Sequence, residues 1–362
     1  MSEPMDSFEI IAPGRVCLFG EHSDYLGLPV IPAAIDLCIM MRGNPTSDNR
    51  ISVHYLDTEE YDEFEVTEPI RYRHNRDYLR SAFNVMASNG IRPKTGAEVE
   101  ITGQIPIAAG LSSSSALTVA SILLVAHLSG TQLDESELAR LAYEAEVVEF
   151  GESGGMQDHL ASSYGGIIHL RFTDGSPNVI RLPVTLDGIV IGDSLESKDD
   201  TVGDLAFIRE TVERGYESLS LVIDDFNPRD TPLEKVSQPV EELEEPMRTM
   251  TKTTLLNRDL TRRALKLLNA ESFDYDRIGQ LLNEHHRLLR DGLNRSTEKI
   301  EAMISAARQA GALGCKINGS GGGGTMMALA PNKEKEAAAA IRQVGGKPYR
   351  IEIHRGAHVT SY

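Results

Sequence analysis

Apolar and polar positions alternate in short runs through the first half of the chain. Residues 8–12, 35–41, 51–55 and 97–101 carry this pattern, the period of a half-buried strand. Ala97, Val99 and Ile101 are its clearest example. Between these runs, 77–88, 113–128 and 135–150 space their apolar residues as helices do. Further strands are expected at 167–170, 179–182 and 188–191. The second half reads as mostly helical, with helices over 202–221, 239–252, 258–269, 275–292 and 297–310. The acidic, proline-containing stretch 224–246 reads as a loop with a short helix. The chain then closes with strands at 312–317 and 325–329, a Lys/Glu/Ala-rich helix over 332–344 and a strand at 349–354. Strand and helix alternate first and β-β-α-β comes last, which predicts an α+β protein of two layers packed side by side. The boundary falls near 182–186, dividing the chain into 1–184 and 185–362. No internal repeat is visible.

Composition narrows the class. The 362 residues are 41% hydrophobic, enough for ordinary globular cores. The formal net charge of −18 repels nucleic acid and anionic membranes, so neither is an expected partner. An anionic ligand would need local compensation. The 3 cysteines, Cys17, Cys38 and Cys315, match no zinc spacing, and their odd number argues against a disulfide framework. A reducing, cytoplasmic setting fits. Residues 1–8 are polar and acidic, unlike a secretory signal. The longest apolar run, near 122–128, is too short to span a bilayer.

Three segments carry chemistry. The first is Ala108-Ala109-Gly110-Leu111-Ser112-Ser113-Ser114-Ser115-Ala116, between a strand pattern and an apolar helix. A small-residue turn that opens a helix presents unpaired backbone N–H groups at the positive end of its dipole, which suits a phosphate. The serine hydroxyls add donors and an oxygen for Mg2+; simple N-capping is the competing reading. The second segment, 12–27, packs Arg15, Glu21, His22 and Asp24 among three glycines. It reads as a polar ligand cradle or as a solvated loop. The third, 316–325, holds five glycines in the six positions 319–324. Glycines of this kind let backbone approach a ligand closely, and the competing reading is a linker. A linker rarely sits between two strand patterns.

Taken together, in this order and spacing, the segments resemble the GHMP family of small-molecule kinases over roughly residues 10–330. Gly20-Glu21-His22-Ser23-Asp24-Tyr25 and 283–290 look most like the galactokinase branch. The resemblance implies a ribosomal-S5-like amino-terminal domain and a ferredoxin-like carboxy-terminal domain, with the site between them. It implies an ATP- and Mg2+-dependent sugar kinase that phosphorylates the anomeric C1 hydroxyl. Asp158 would accept the hydroxyl proton beside Arg15. Glu21, His22 and Asp24 would bind sugar hydroxyls, and Gly155 would let the sugar approach the backbone. Gly110, Leu111, Ser112, Ser113, Ser114, Ser115, Tyr78, Gly321 and Gly322 would hold the nucleotide. Ser114 and Glu146 would hold the metal. Competing readings are an N-cap for Asp158, a solvated face for Glu146 and a core position for Tyr78. His285 and His286, adjacent on a helix, read as structural or surface positions.

Cys17 stands where galactokinases usually carry asparagine. Gly154-Gly155-Met156-Gln157-Asp158 and the run 321–324 resemble heptose-phosphate and fucose kinases. The sugar therefore stays open among galactose, heptose phosphate, fucose, uronic and amino sugars. A non-catalytic sugar and ATP sensor is a second class. An ATP-dependent decarboxylase on the same fold is a third, and it would want several Lys or Arg for a diphosphate. Oligomeric state is not legible.

Overall fold

The computed structural model describes residues 6–152, 154–173, 176–197 and 201–362; the first five residues of the polar amino terminus lie outside them. In chain order the elements are β1 (Phe8–Phe19), β2 (Ile31–Thr46), β3 (Arg50–Tyr55), β4 (Glu60–Glu65), α1 (Tyr78–Ser88), β5 (Gly96–Gly103), α2 (Ser113–Ser129), α3 (Glu135–Tyr143) and α4 (Gln157–Tyr164). Next come β6 (Ile168–Thr173), β7 (Ser176–Arg181), β8 (Ile189–Asp193), α5 (Thr201–Ser220), α6 (Leu233–Val236), α7 (Met247–Leu268) and α8 (Tyr275–Arg287). The chain ends with α9 (Glu298–Gln309), β9 (Gly314–Asn318), β10 (Thr325–Leu329), α10 (Glu334–Gln343), β11 (Lys347–Ile351) and β12 (His358–Ser361).

The amino-terminal sheet runs β12-β1-β2-β5-β3-β4. Its core face holds Phe8, Ile10, Met41, Ile51 and Val99, packed with Phe83 of α1 and the fully buried stretch of α2. Helix α2 is apolar on nearly every side because it lies inside this layer, between the sheet and α1, α3 and α4. Burying each such large side chain stabilises the fold by roughly 1.5–3 kcal/mol. The second sheet is antiparallel in the order β11-β8-β10-β9. With α9 and α10 it makes the split β-α-β-β-α-β unit of a ferredoxin-like domain. Its two faces sort by strict alternation. Val190, Met326, Ala328, Cys315 and Ile317 face α9 and α10, whereas Ile189, Ile191, Met327 and Leu329 join the larger core.

Several elements depart from the hydrophobic pattern. Strand β1 runs on to Phe19 where a loop was expected, because Pro13-Gly14 interrupts its alternation. A register shift between Pro13 and Arg15 marks a bulge there, a device that re-aims side chains. The expected helix 135–150 stops at Tyr143 and continues as a π turn, Glu144–Val148. The expected helices 239–252 and 258–269 are one helix, α7, that starts after Pro246. Its buried Thr251, Thr253, Thr254 and Asn257 hide the continuity from an apolar count. Edge strand β4, mostly charged, has no strand-like apolar signal. The chain also does not divide cleanly at 184/185. Strand β12 returns to pair with β1, and Ile353 bridges Ile35. Among the described residues, no helix is long and apolar enough to cross a membrane.

Candidate active site

A cavity of about 980 Å3 opens between the two layers, lined by residues from all three motif segments. The β1 bulge places Arg15 at its centre. Gly14 is needed there, since a Cβ would fall 2.7 Å from the Leu111 carbonyl oxygen. The Arg15 guanidinium grips Asp158 with two bonds, Nε to Oδ1 at 2.7 Å and Nη2 to Oδ2 at 2.8 Å. A third arm, Nη1, donates to the Gly110 carbonyl at 2.7 Å. Ser112 Oγ adds a further bond to Asp158 Oδ2 at 2.6 Å. Burial alone would raise the Asp158 pKa, but Arg15 and Ser112 outweigh it and hold it below the usual carboxylate range. Asp158 therefore stays ionised and is a weak base. It caps nothing: its oxygens serve Arg15 and Ser112 rather than the start of α4.

The serine turn has the backbone of an anion nest. Ala108, Gly110 and Ser112, every second residue, have positive φ of 57°, 86° and 61°. For Ala and Ser this left-handed conformation is strained. It turns successive N–H groups towards one concavity. Ser112 occupies the cap position of α2 yet makes no side-chain cap bond, because its hydroxyl is committed to Asp158. The Ser112 carbonyl accepts the first helical bond from Ala116 at 3.0 Å, so the N–H groups just ahead have no partner in the helix ladder. Ser113, Ser114 and Ser115 line the cavity at that point.

Glu21, His22 and Asp24 sit on the tight turn after β1, all three buried and all three lining the cavity. Long-range bonds hold this turn. Asn257 Nδ2 donates to the Glu21 carbonyl at 2.9 Å. Lys316 Nζ donates to Glu21 Oε2 at 2.7 Å and to the Cys17 carbonyl at 2.8 Å, and both side chains of the ion pair are almost wholly buried. Asp24 has weaker help, long bonds of 3.4 and 3.5 Å from Gln157. Burial first, and then the Asp158 charge, push its pKa up from 3.8 to about 6. Gly155 also lines the cavity, but the space its Cβ would take is already filled: Asp24 Oδ2 lies 1.8 Å from that point. Its missing side chain makes room for Asp24.

Glu146 reaches the cavity from the π turn, with Oε2 2.6 Å from His159 Nε2. Such a turn interrupts a regular helix and redirects one residue. Tyr78, Arg76, Glu152 and Ile107 line the same cavity, with Arg76 paired to Glu152 at 2.6 Å and Tyr78 edge-on to Phe150.

The glycine segment enters differently from the expectation. Gly319 and Ser320 line the cavity; Gly321 and Gly322 do not. Gly321 packs on Arg295, whose Nε bonds the Ser320 carbonyl at 2.9 Å, and Gly322 donates to the Arg295 carbonyl at 2.9 Å. These two glycines shape the loop around a buried arginine instead of lining the cleft. Leu111 contributes backbone only: its side chain is in the core, and its carbonyl accepts from the Arg15 N–H at 3.1 Å. The carboxy-terminal layer instead braces the serine turn. Asn318 Nδ2 donates to the Gly110 carbonyl at 2.8 Å, and Thr325 Oγ1 to the Ala109 carbonyl at 2.9 Å. Gly319 presses on Gly110, 2.8 Å from a Cβ position to Cα.

Local reasoning missed Lys316, Asn318 and Asn257 as organisers of the site. Lys316 and Asn318 had one signal, polar side chains inside an apolar strand pattern. His285 and His286 are buried and structural: His285 stacks on Phe19, and His286 bonds Glu301.

An amide nest, an arginine-gripped carboxylate and a carboxylate-rich pocket in one cleft between these two layers define a small-molecule phosphotransferase. Comparison with known proteins agrees. The GHMP kinases N terminal domain matches residues 77–166, the GHMP kinases C terminal domain 264–350, and the galactokinase galactose-binding signature 2–45. The mevalonate kinase of Pyrococcus furiosus is 34% identical over 353 residues, 95% of each chain. The galactokinase of Actinobacillus succinogenes is 27% identical over 361 residues, covering 95% of this chain and 89% of its own. Lactococcus lactis galactokinase complexed with galactose superposes with a TM-score of 0.86 at 22% identity, covering 97% of this chain and 95% of its own. Methanococcus jannaschii mevalonate kinase gives 0.73 at 22%, covering 96% and 98%. The chain belongs to the GHMP kinase family, with the two-domain GHMP fold, and carries the galactokinase signature.

Proposed function

We propose that this kinase transfers the γ-phosphoryl group of ATP to the C1 hydroxyl of a neutral monosaccharide, galactose or a close relative. The observation that carries this is the charge of the substrate pocket. Glu21 is neutralised by Lys316 and Asp158 by Arg15, which leaves Asp24 as a carboxylate without a cationic partner. Among the described residues lining the cavity, the only arginines or lysines are Arg15 and Arg76, and each already holds a carboxylate. Sugar hydroxyls donate to carboxylates, and sites built this way discriminate strongly between isosteres. Mevalonate is itself a carboxylate and would meet Asp24 with no free cation. A second reading, mevalonate phosphorylation, is favoured by the 34% identity to mevalonate kinases across almost the whole chain.

The geometry supports one course for the reaction. The 108–115 nest and the Ser113–Ser115 hydroxyls receive the phosphates. Two hard oxygen donors, Glu146 and Ser114, line the cavity beside that nest and suit Mg2+, which takes few protein ligands alongside water and phosphate oxygens. When bound, Mg2+ neutralises charge on the transferring phosphoryl group. Asp158 accepts a hydrogen bond from the attacking hydroxyl and orients it, while Arg15 stabilises the charge that develops. The depressed basicity of Asp158 suits the anomeric hydroxyl, the most acidic one of a sugar, and a loose transition state that needs little base strength. The nest and Asp158 are intact, which supports turnover over mere sensing.

The test is a phosphorylation panel with ATP and Mg2+: galactose, fucose, mannose, glucuronate, galactosamine, a heptose phosphate and mevalonate, with 31P NMR of the product. A sugar 1-phosphate supports the reading. Phosphomevalonate as the sole product overturns it. Asp158→Asn is expected to lose about a hundred- to ten-thousandfold in kcat, the scale of a lost catalytic group, while sugar affinity by calorimetry changes little.

A further inference from the structure

We propose that His159 is a positioning residue for the metal, clamping Glu146 into the orientation in which it holds Mg2+. This rests on the reading of Glu146 as a metal-holding residue. His159 Nε2 and Glu146 Oε2 are 2.6 Å apart, with side chains 2% and 9% exposed. A carboxylate at that distance only accepts, so Nε2 carries the proton and donates. Nδ1 is buried with no hydrogen-bond partner among the described residues, and a proton placed there would be left without an acceptor. The Tyr143 ring meets the imidazole edge-on, centroids 5.7 Å apart at 85°, so the ring plane is fixed from a second side. The Glu146 carboxylate needs such a clamp. It projects from a π turn, where the regular helix ladder is broken, and on its own would sample several rotamers. With one oxygen tied to His159, the carboxylate holds a single plane. The arrangement repeats the outer hydrogen bond that orients metal-binding carboxylates elsewhere.

The position of His159 matters as much as its bond. It follows Asp158 on the first turn of α4. One short helix therefore carries the hydroxyl-orienting carboxylate and, on the next residue, the clamp on the metal carboxylate. With a metal bound, the hydroxyl-orienting group and the clamp on its carboxylate ligand would thus be held by adjacent residues of one helix.

The test uses Mn2+ as the metal probe, with ADP and purified full-length enzyme, and reads free Mn2+ by electron paramagnetic resonance. His159→Leu is expected to weaken Mn2+ binding in the presence of ADP ten- to hundredfold, roughly the cost of losing an outer-shell partner. Metal-free ADP binding and the KM for the sugar stay within about twofold. His159→Gln, whose amide can donate from nearly the same place, is expected to recover most of the loss. Glu146→Gln separates the two ideas. If Glu146→Gln weakens Mn2+ and His159→Leu does not, the clamp is wrong and the metal reading stands. If neither weakens Mn2+, both are overturned. Should His159→Leu not fold, histidine 15N NMR of the wild type decides. An Nε2–H imidazole whose resonances broaden on adding Mn2+ with ADP supports the clamp, and an Nδ1–H tautomer overturns it.

Discussion

Replacing Asp24 by Asn removes a buried charge from the substrate end of the cleft, and the structure sets the size of the effect. Asp24 is only 6% exposed. Burial, and then Asp158, raise its pKa from 3.8 to about 6. Because the folded value lies above the unfolded one, the acid contributes its full stability below pH 3.8 and loses it as pH rises through about 6. At 1.36 kcal/mol per pKa unit, holding this carboxylate ionised costs the fold about 3 kcal/mol above pH 7 and about 1.6 kcal/mol at pH 5. Asn carries no such penalty. Urea unfolding of both proteins at pH 4, 5, 6, 7 and 8 should show the Asn variant gaining on the wild type by those amounts as pH rises. Any constant offset reflects the swapped amide and does not count. The wild type is expected to show an inflection near pH 6 in kcat/KM, since sugar hydroxyls need the ionised acceptor, and the same variant should lose it. A stability difference that stays flat with pH, or that falls as pH rises, refutes the reasoning.

Three further outcomes follow from named contacts. Gly155→Ala puts a methyl group where Asp24 Oδ2 now lies; the displaced carboxylate should raise the sugar KM roughly tenfold, about 1.4 kcal/mol, with the KM for ATP unchanged, read by steady-state kinetics. Lys316→Met leaves Glu21 charged and alone in the interior, costing about 3–5 kcal/mol in denaturant unfolding. Adding Glu21→Gln should restore part of that, and no restoration would mean the pair is not coupled. Ser112→Ala removes one of three bonds on Asp158 and relaxes no backbone strain, so kcat should fall about ten- to hundredfold, near 1.4–2.8 kcal/mol, with both KM values near wild type. An unchanged kcat would show that Arg15 alone positions the carboxylate.

Much of this site was legible because its chemistry is local in sequence. The serine turn, the 20–25 loop and Asp158 each declare themselves through small or charged residues at an element boundary, and the structure brings them into one cleft. What stayed hidden is long-range. Lys316 and Glu21 are separated by 295 positions, and nothing in either neighbourhood names the other. Strand β12 is short and polar, so only its pairing with β1 reveals it. The two misplaced glycines show the limit of motif reading from the other side. Glycine richness reports that backbone must turn tightly or come close to something, but not to what; at 321 and 322 the something is Arg295.

On the proposed reading, the cleft of a chain of net charge −18 accepts a polyanionic nucleotide without a row of basic side chains. The two arginines that line it and a lysine buried behind it are spent on carboxylates: Arg15 on Asp158, Arg76 on Glu152 and Lys316 on Glu21. What remains for the phosphates is oriented backbone, the three left-handed residues of the nest and the opened end of α2. Backbone dipoles of this kind attract negative charge only while the loop keeps its strained shape. That shape is held from outside: Arg15 and Asn318 both donate to the Gly110 carbonyl and Thr325 to Ala109. Asn318 and Thr325 belong to the second layer, so the proposed phosphate site is braced only where the two layers meet. Loosening that contact should weaken nucleotide binding before it touches the sugar pocket.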